Sequence, residues 1–170
     1  MTSPPPRARP GDHPDFFRWP APEGRSRESE IRLDAEGRFF HEGALVEHPG
    51  LAAALHAWID RHPDDGRPIL TNGWDWTYFV VDDVPLFIRS VDEDGTLSLS
   101  NGRSEPLAPA RVVEGAHGAL YVTTASGLEA KFTRSAQASL APFLVEVDGG
   151  VALSLGGAVC VPRPRGAGER

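Results

Sequence analysis

Ile31-Arg-Leu-Asp-Ala-Glu-Gly-Arg-Phe-Phe-His-Glu-Gly43 decides the fold class. Ile31 to Leu33 and Arg38 to His41 are short strand-forming runs, and Asp34-Ala-Glu-Gly37 between them has the acidic start and glycine end of a turn. Glu42-Gly43 supplies a second turn and leads into Ala44-Leu-Val46. Pro49 suits the first turn of a helix, where its missing N–H is harmless. Leu51, Leu55, Trp58 and Ile59 then recur at helical spacing to about Arg61, and Pro63-Asp-Asp-Gly66 stops the helix. A helix with one apolar stripe must lie on a sheet, so this part of the chain reads as a small unit of antiparallel strands carrying one helix.

Outward from that unit the pattern stays rich in strands. Short strand-like runs fall near 68–71, 76–82, 85–91 and 96–100, with turns at Asp92-Glu-Asp-Gly95 and at Asn101-Gly102, the strongest hairpin dipeptide of the chain. Residues 106–116 read as irregular. A hairpin over 119–123 and 128–133 turns at Ser126-Gly127, an alanine-rich helix covers about 135–140, and strands at 143–147, 151–155 and 158–161 form a meander. Strand–strand–helix–strand–strand therefore occurs twice, near 31–91 and near 119–161. The fold class is α+β, with two small units that resemble a duplication. The N-terminal unit covers 28–92 and the C-terminal, β-rich unit covers 93–162.

Residues 1–27 and 163–170 read as tails. Seven of the sixteen prolines and five arginines lie in the first of these, which has almost no aliphatic residues, a composition that favours disorder. Phe16-Phe-Arg-Trp-Pro20 stands out within it, as an arm docked on the body or as a motif for a protein partner.

The chain has 170 residues, of which 40% are apolar and 24% charged, the proportions of a globular protein. A net charge of −7 argues against general nucleic-acid binding, which leans on a basic surface. No apolar run approaches the roughly 20 residues of a membrane span, and the N-terminus lacks the apolar core of a secretory signal. A lone Cys160 can form no internal disulfide or zinc knuckle. These features give the expectation of a cytoplasmic protein.

Motifs for catalysis or cofactors are absent: no nucleophile elbow, no Gly-x-x-x-x-Gly-Lys loop, no Gly-x-Gly-x-x-Gly fingerprint. His41-Glu42 begins like a zinc-protease helix, but position 45 is leucine; His48 and His62 flank prolines at the helix ends, and His56 does not align with His48 on a helical wheel, so neither a metal nor a cofactor is expected. His41 beside Glu42 is a candidate acid–base pair near neutral pH or a hydrogen-bonded turn. Trp74-Asp75-Trp76 places two indoles on one face of an extended backbone, where they could sandwich a planar ring or fill a seam between the units. Glu129 and Lys131 share a strand face and form a candidate surface ion pair. Arg134, at the start of the second helix, is a candidate to hold a phosphate or an acidic neighbour.

The first hairpin resembles the opening of a bacterial family known as DUF1285, a domain of unknown function, in which an acidic-turn hairpin runs into an aromatic-x-His-Glu-Gly turn and an amphipathic helix. Trp19-Pro20, Val81-Asp-Asp-Val-Pro-Leu86, Leu120-Tyr-Val122, Gly127-Leu-Glu-Ala130 and Arg134 are similar to further parts of the family pattern, over about 19–162. The resemblance implies two related α+β units, the second pleckstrin-homology-like, with a nucleotide-like ligand and a signalling role suggested for the cleft between them. Around Gly73-Trp74-Asp75 the chain lacks the family's usual Glu-Lys pair.

The resulting expectation is a non-enzymatic regulatory protein. It would bind a small, nucleotide-like ligand between its units through His41, Glu42, Trp74, Asp75, Trp76, Glu129 and Arg134. A hydrolase or isomerase using His41 with a carboxylate, and a protein-interaction module, are the alternatives.

Overall fold

The computed structural model describes residues 8–167. The disorder expected at the two chain ends lies, for 1–7 and 168–170, outside the described residues.

The first hairpin forms as its turn chemistry dictates. Asp34 Oδ1 accepts from the backbone N–H groups of Glu36 (3.0 Å) and Arg38 (2.8 Å), and Gly37 takes the left-handed φ of 85° that closes the turn. Ile31–Leu33 thus pairs with Phe39–His41 in the register Leu33↔Phe39, which sends both side chains inward. Ala44–Leu45 and Val80–Val81 complete a four-stranded sheet, the latter joining in parallel. The His48 ring caps the following helix, α1 (Pro49–Ala57), by accepting from the Leu51 N–H at 3.2 Å.

α1 is shorter than the helical spacing predicts. Ile59–Arg61 is a strand, antiparallel to Pro68–Thr71, which pairs in turn with Trp76–Tyr78. Ile59 is buried opposite Leu70, and a β-branched residue at a helix end serves either period.

The second half is organised by a seven-stranded sheet. Its order is Ser104–Pro106, Thr96–Leu99, Leu86–Val91, Glu129–Phe132, Leu120–Thr123, Val112–Glu114 and Arg163–Pro164. Leu86–Val91 pairs in parallel with Glu129–Phe132, so it belongs to this sheet. Val112–Glu114 is a strand inside the segment that reads as irregular. Arg163–Pro164 pairs with it in parallel, so the C-terminal segment is a sheet edge and not a frayed tail up to residue 167. A short helix, α2 (Arg134–Ala138), packs on Leu86–Val91, and Leu144–Val147, Gly150–Leu155 and Ala158–Cys160 form the closing meander.

The architecture is α+β: several small, mostly antiparallel sheets with two helices. Leu33, Phe39, Leu55 and Ile59 from the first half and Leu86, Ile88, Val122 and Phe132 from the second lie in one continuous core. No helix among the described residues is long and apolar enough to cross a membrane.

The proline-rich arm packs against the sheet around Trp76. Phe16 is buried with Ile69 and Trp76 in a cluster separate from the main core. Gly11 N–H donates to the Gly73 carbonyl at 2.8 Å, Arg18 pairs with Asp64 at 2.9 Å, and the His62 ring bonds the Phe17 carbonyl at 3.2 Å. Phe16→Ala is expected to undock the arm without unfolding the core. A loss of about 3 kcal/mol, the low end for Phe→Ala at a buried site, corresponds to roughly 100-fold faster tryptic cleavage after Arg18. Limited proteolysis followed by mass spectrometry reads this directly; unchanged cleavage would show that Phe16 does not hold the arm.

Candidate functional site

Register places the charged residues of the second half. Lys131 lies opposite both Tyr121 and Phe87, and Glu129 lies opposite Thr123. By alternation Glu129, Lys131, Phe87 and Tyr121 share one face of the seven-stranded sheet, and Arg89 follows at an irregularity between Ile88 and Ser90.

Most charge on that face is already paired. The Asp83 carboxylate accepts from Tyr121 Oη at 2.9 Å and from Arg165 Nη1 at 2.7 Å, with Lys131 Nζ at 3.5 Å. Arg165 also pairs with Glu129 and stacks 3.8 Å from the centre of the Tyr121 ring. Burial alone would raise the Asp83 pKa, but the hydrogen bonds from Arg165 and Tyr121 outweigh it and hold the carboxyl below the ordinary aspartate range. Burial and the Asp83 carboxylate push the Tyr121 phenol up. Two carboxylates and two cations thus close a neutral network that ties the C-terminal segment to both halves of the chain.

Beside this network opens a cleft of about 770 Å³, lined by His117, Gly118, Lys131, Phe132, Arg134 and Gln137 among others. Its walls are fixed by Gln137, whose Nε2 donates to the Gly118 carbonyl at 2.8 Å while its Oε1 accepts from Leu120 N–H at 3.3 Å. His117 adopts a left-handed φ of 57° ahead of Gly118 at 73°, the conformation of a tight hairpin turn. Arg134 is exposed and makes no ion pair among the described residues. No group of acidic, histidine and cysteine side chains suited to a metal ion occurs among the described residues.

A second, smaller cleft of about 320 Å³ lies on the other side of the α2 start, lined by Glu36, Gly37, His56, Phe87, Arg89, Thr133 and Ser135. Glu36 lines both clefts. His56 is buried, and its Nε2 lies 3.1 Å from the Gly37 carbonyl, which makes that nitrogen the donor in the neutral ring. Burial, helped by the Arg89 charge, lowers the His56 pKa below its ordinary value of 6.5. The unfolded chain therefore takes up this proton first as pH falls. The neutral ring's contribution to stability is complete above about pH 6.5 and declines below it, until the folded form also protonates. Denaturant titrations at pH 7.5 and 5.5 are expected to show this loss, and His56→Gln is expected to flatten it.

Of the seven residues that sequence patterning proposes as ligand-binding, only Arg134 lines either cleft. His41 ends its strand and Glu42, at a φ of 51°, serves the turn; both are exposed. Trp74 is 55% exposed in a loop, where its N–H and that of Asp75 donate to Asn72 Oδ1. Asp75 pairs with Arg27 at 2.7 Å. Trp76 is buried against Phe17, His62 and Tyr78 beneath the arm. The two indoles therefore form no sandwich, and Glu129 belongs to the Arg165 network. Sequence patterning missed Glu36, Arg89 and His117 at the clefts. A local signal existed only for His117, whose His-Gly dipeptide fits a tight turn; Arg89 and Lys131 become neighbours through a parallel pairing of strands some forty residues apart.

No family model and no curated protein matches the sequence. Among solved structures, a DUF1285 family protein from Silicibacter pomeroyi is similar, with a TM-score of 0.60 and 22% identity over 78% of each chain. A DUF1285 family protein from Shewanella baltica aligns with a TM-score of 0.47 and 20% identity, over 64% of this chain and 87% of its own. The first of these likenesses establishes a shared fold, and the sequence resemblance drawn from the first hairpin agrees with it.

Proposed function

We propose that this chain is a non-enzymatic, cytoplasmic regulatory protein that binds a small phosphate-bearing ligand, nucleotide-like in size, in the cleft beside Arg134. The observation that carries the reading is the exposed Arg134 guanidinium, without a carboxylate partner among the described residues, facing a cleft shared with Lys131 and His117. In a chain of net charge −7, an arginine left without an acidic partner at a concave surface favours an anion. At about 770 Å³ the cleft falls within the range of small-ligand sites. Arginine offers a planar fork for phosphate oxygens and the rim imidazole of His117 can donate a further hydrogen bond, while the Lys131 ammonium stays with the Asp83 carboxylate at 3.5 Å. Stacking of a base between Trp74 and Trp76 forms no part of this reading, because Trp76 is buried beneath the arm.

The test is thermal shift against nucleotides, phosphorylated metabolites and inorganic phosphate. A ligand at about 100 times its Kd adds roughly 2.7 kcal/mol, which is about 5–10 °C for a chain of this size. Arg134→Ala is expected to leave the unliganded midpoint within about 1 °C, since the side chain is exposed, and to abolish the shift. A flat panel at millimolar concentration, or an equal shift in the variant, would overturn the proposal.

A further inference from the structure

Leu144–Val147 is an edge strand of the closing meander, and its sequence Leu-Val-Glu-Val carries one charge in four residues. Exposed edges are ordinarily blunted by lysine, proline, a bulge or a covering loop, because they offer free backbone groups to another strand. Here Leu144 is 46% exposed and Val145 38%, and Val151 and Val159 on the other two strands are exposed as well.

The register fixes which backbone groups this edge offers. Gly156 and Gly157 both take positive φ, at 62° and 84°, which makes a two-residue hairpin turn with Leu155 and Ala158 as its hydrogen-bonded closing pair. Alternation then points the backbone groups of residues 153 and 155 toward Ala158–Cys160, and those of 150 and 152 toward Val147 and Val145. Leu144 and Glu146 are left pointing outward. The Leu144 N–H donates to the Ala141 carbonyl. The open groups are therefore the Leu144 carbonyl and both backbone groups of Glu146, which no other strand among the described residues meets.

We propose that this edge pairs with the same edge of a second copy of the chain, antiparallel about a two-fold axis at Val145, to give a continuous six-stranded sheet. The inference is independent of the phosphate-binding reading. A register centred on Leu144 sets two spent donors against each other, and one centred on Glu146 sets two like charges directly opposite. With Val145 on the axis, each Glu146 N–H donates to the Leu144 carbonyl of the other copy. Val145 then meets its own mate at the close, non-hydrogen-bonded spacing of about 4.5 Å between Cα atoms. Each Glu146 side chain lies across from a leucine rather than a carboxylate. The edge is thus complementary to itself in donors, charge and apolar surface, and this selects a second copy over a foreign strand. The covered surface is small: Leu144, Val145 and Val151 of each copy and two backbone bonds, below a standard interface. The dimer is therefore weak and reversible. Because each copy carries a net charge of −7, added salt screens their repulsion and strengthens it.

Sedimentation velocity of the full chain tests this. The wild-type protein is expected to be a monomer at about 1 µM and predominantly a dimer at about 300 µM. Val145→Lys sets two ammonium groups opposite each other on the axis. It is expected to keep the chain monomeric at the higher concentration, with a melting midpoint within about 4 °C of wild type. Amide hydrogen exchange in the wild-type protein gives a readout that needs no substitution: the Glu146 N–H is expected to exchange at least about twofold more slowly at 600 µM than at 60 µM. A wild-type chain that stays monomeric at 300 µM, a Val145→Lys variant that dimerises as wild type does, or a Glu146 exchange rate independent of concentration would each overturn the proposal. If Val145→Lys fails to fold, the Glu146 exchange rate decides.

Discussion

Phe39→Ala is expected to destabilise the protein by about 3–5 kcal/mol, the usual cost of removing a buried phenyl ring. Phe39 is 1% exposed and sits opposite Leu33 in the first hairpin, with its ring 4.8 Å from that of His56 and 6.2 Å from that of Phe79. It thereby joins the hairpin, α1 and the continuous core shared by both halves. Alanine leaves a cavity lined by residues from separate elements, which cannot all move inward together. Against a total stability of about 5–15 kcal/mol, the loss should lower the melting midpoint by roughly 6–20 °C. Denaturant unfolding with an unchanged m-value is the appropriate measurement. A loss below about 1 kcal/mol would mean that the first hairpin is not anchored in the core.

The second large effect is expected at Asp83. Its carboxylate is the acceptor shared by Tyr121, Arg165 and Lys131, and its side chain is 16% exposed. Asp83→Ala leaves two cations and a phenol facing a gap, with only Glu129 to balance them. Breaking one side of a buried ion pair costs about 3–5 kcal/mol, and the residual solvent access reduces this to about 2–3 kcal/mol. The penalty has a defined pH dependence. Because the folded-state pKa of Asp83 is depressed, its contribution is present above the unfolded value of 3.8 and is lost as pH falls through the folded value. Wild-type and variant stabilities should therefore converge in acid. Hydrogen exchange adds a local readout: the Arg165 N–H, which donates to the Glu114 carbonyl at 2.8 Å, should lose protection in the variant. Retained protection there would show that the strand edge holds the C-terminal segment without Asp83.

How much was legible in the sequence depends on how local the determining physics is. The first hairpin is readable because Asp34 and Gly37 complete its turn within four residues, and the Asn101-Gly102 turn is readable for the same reason. The strands at Ile59–Arg61, Val112–Glu114 and Arg163–Pro164 are short and take their pairing from distant partners. Trp74 and Trp76 do not share a face because Asn72 folds residues 72–75 into a side-chain-bonded loop and the strand starts only at Trp76. Arg134 could be picked out as an arginine opening a helix. The convergence of Arg89, Lys131 and Glu36 is set by a parallel register and by the docking of the first hairpin on the sheet, and three-residue turn signals encode neither.

The central claim is that the cleft between α2 and the His117 turn is an anion site. Its most direct measurement is a backbone amide NMR titration of the full chain with adenosine 5′-monophosphate. The account predicts saturable shifts confined to residues 116–119 and 131–138, lost in Arg134→Ala. Shifts centred instead on residues 41–43 or 72–78, with residues 131–138 unmoved, would contradict it.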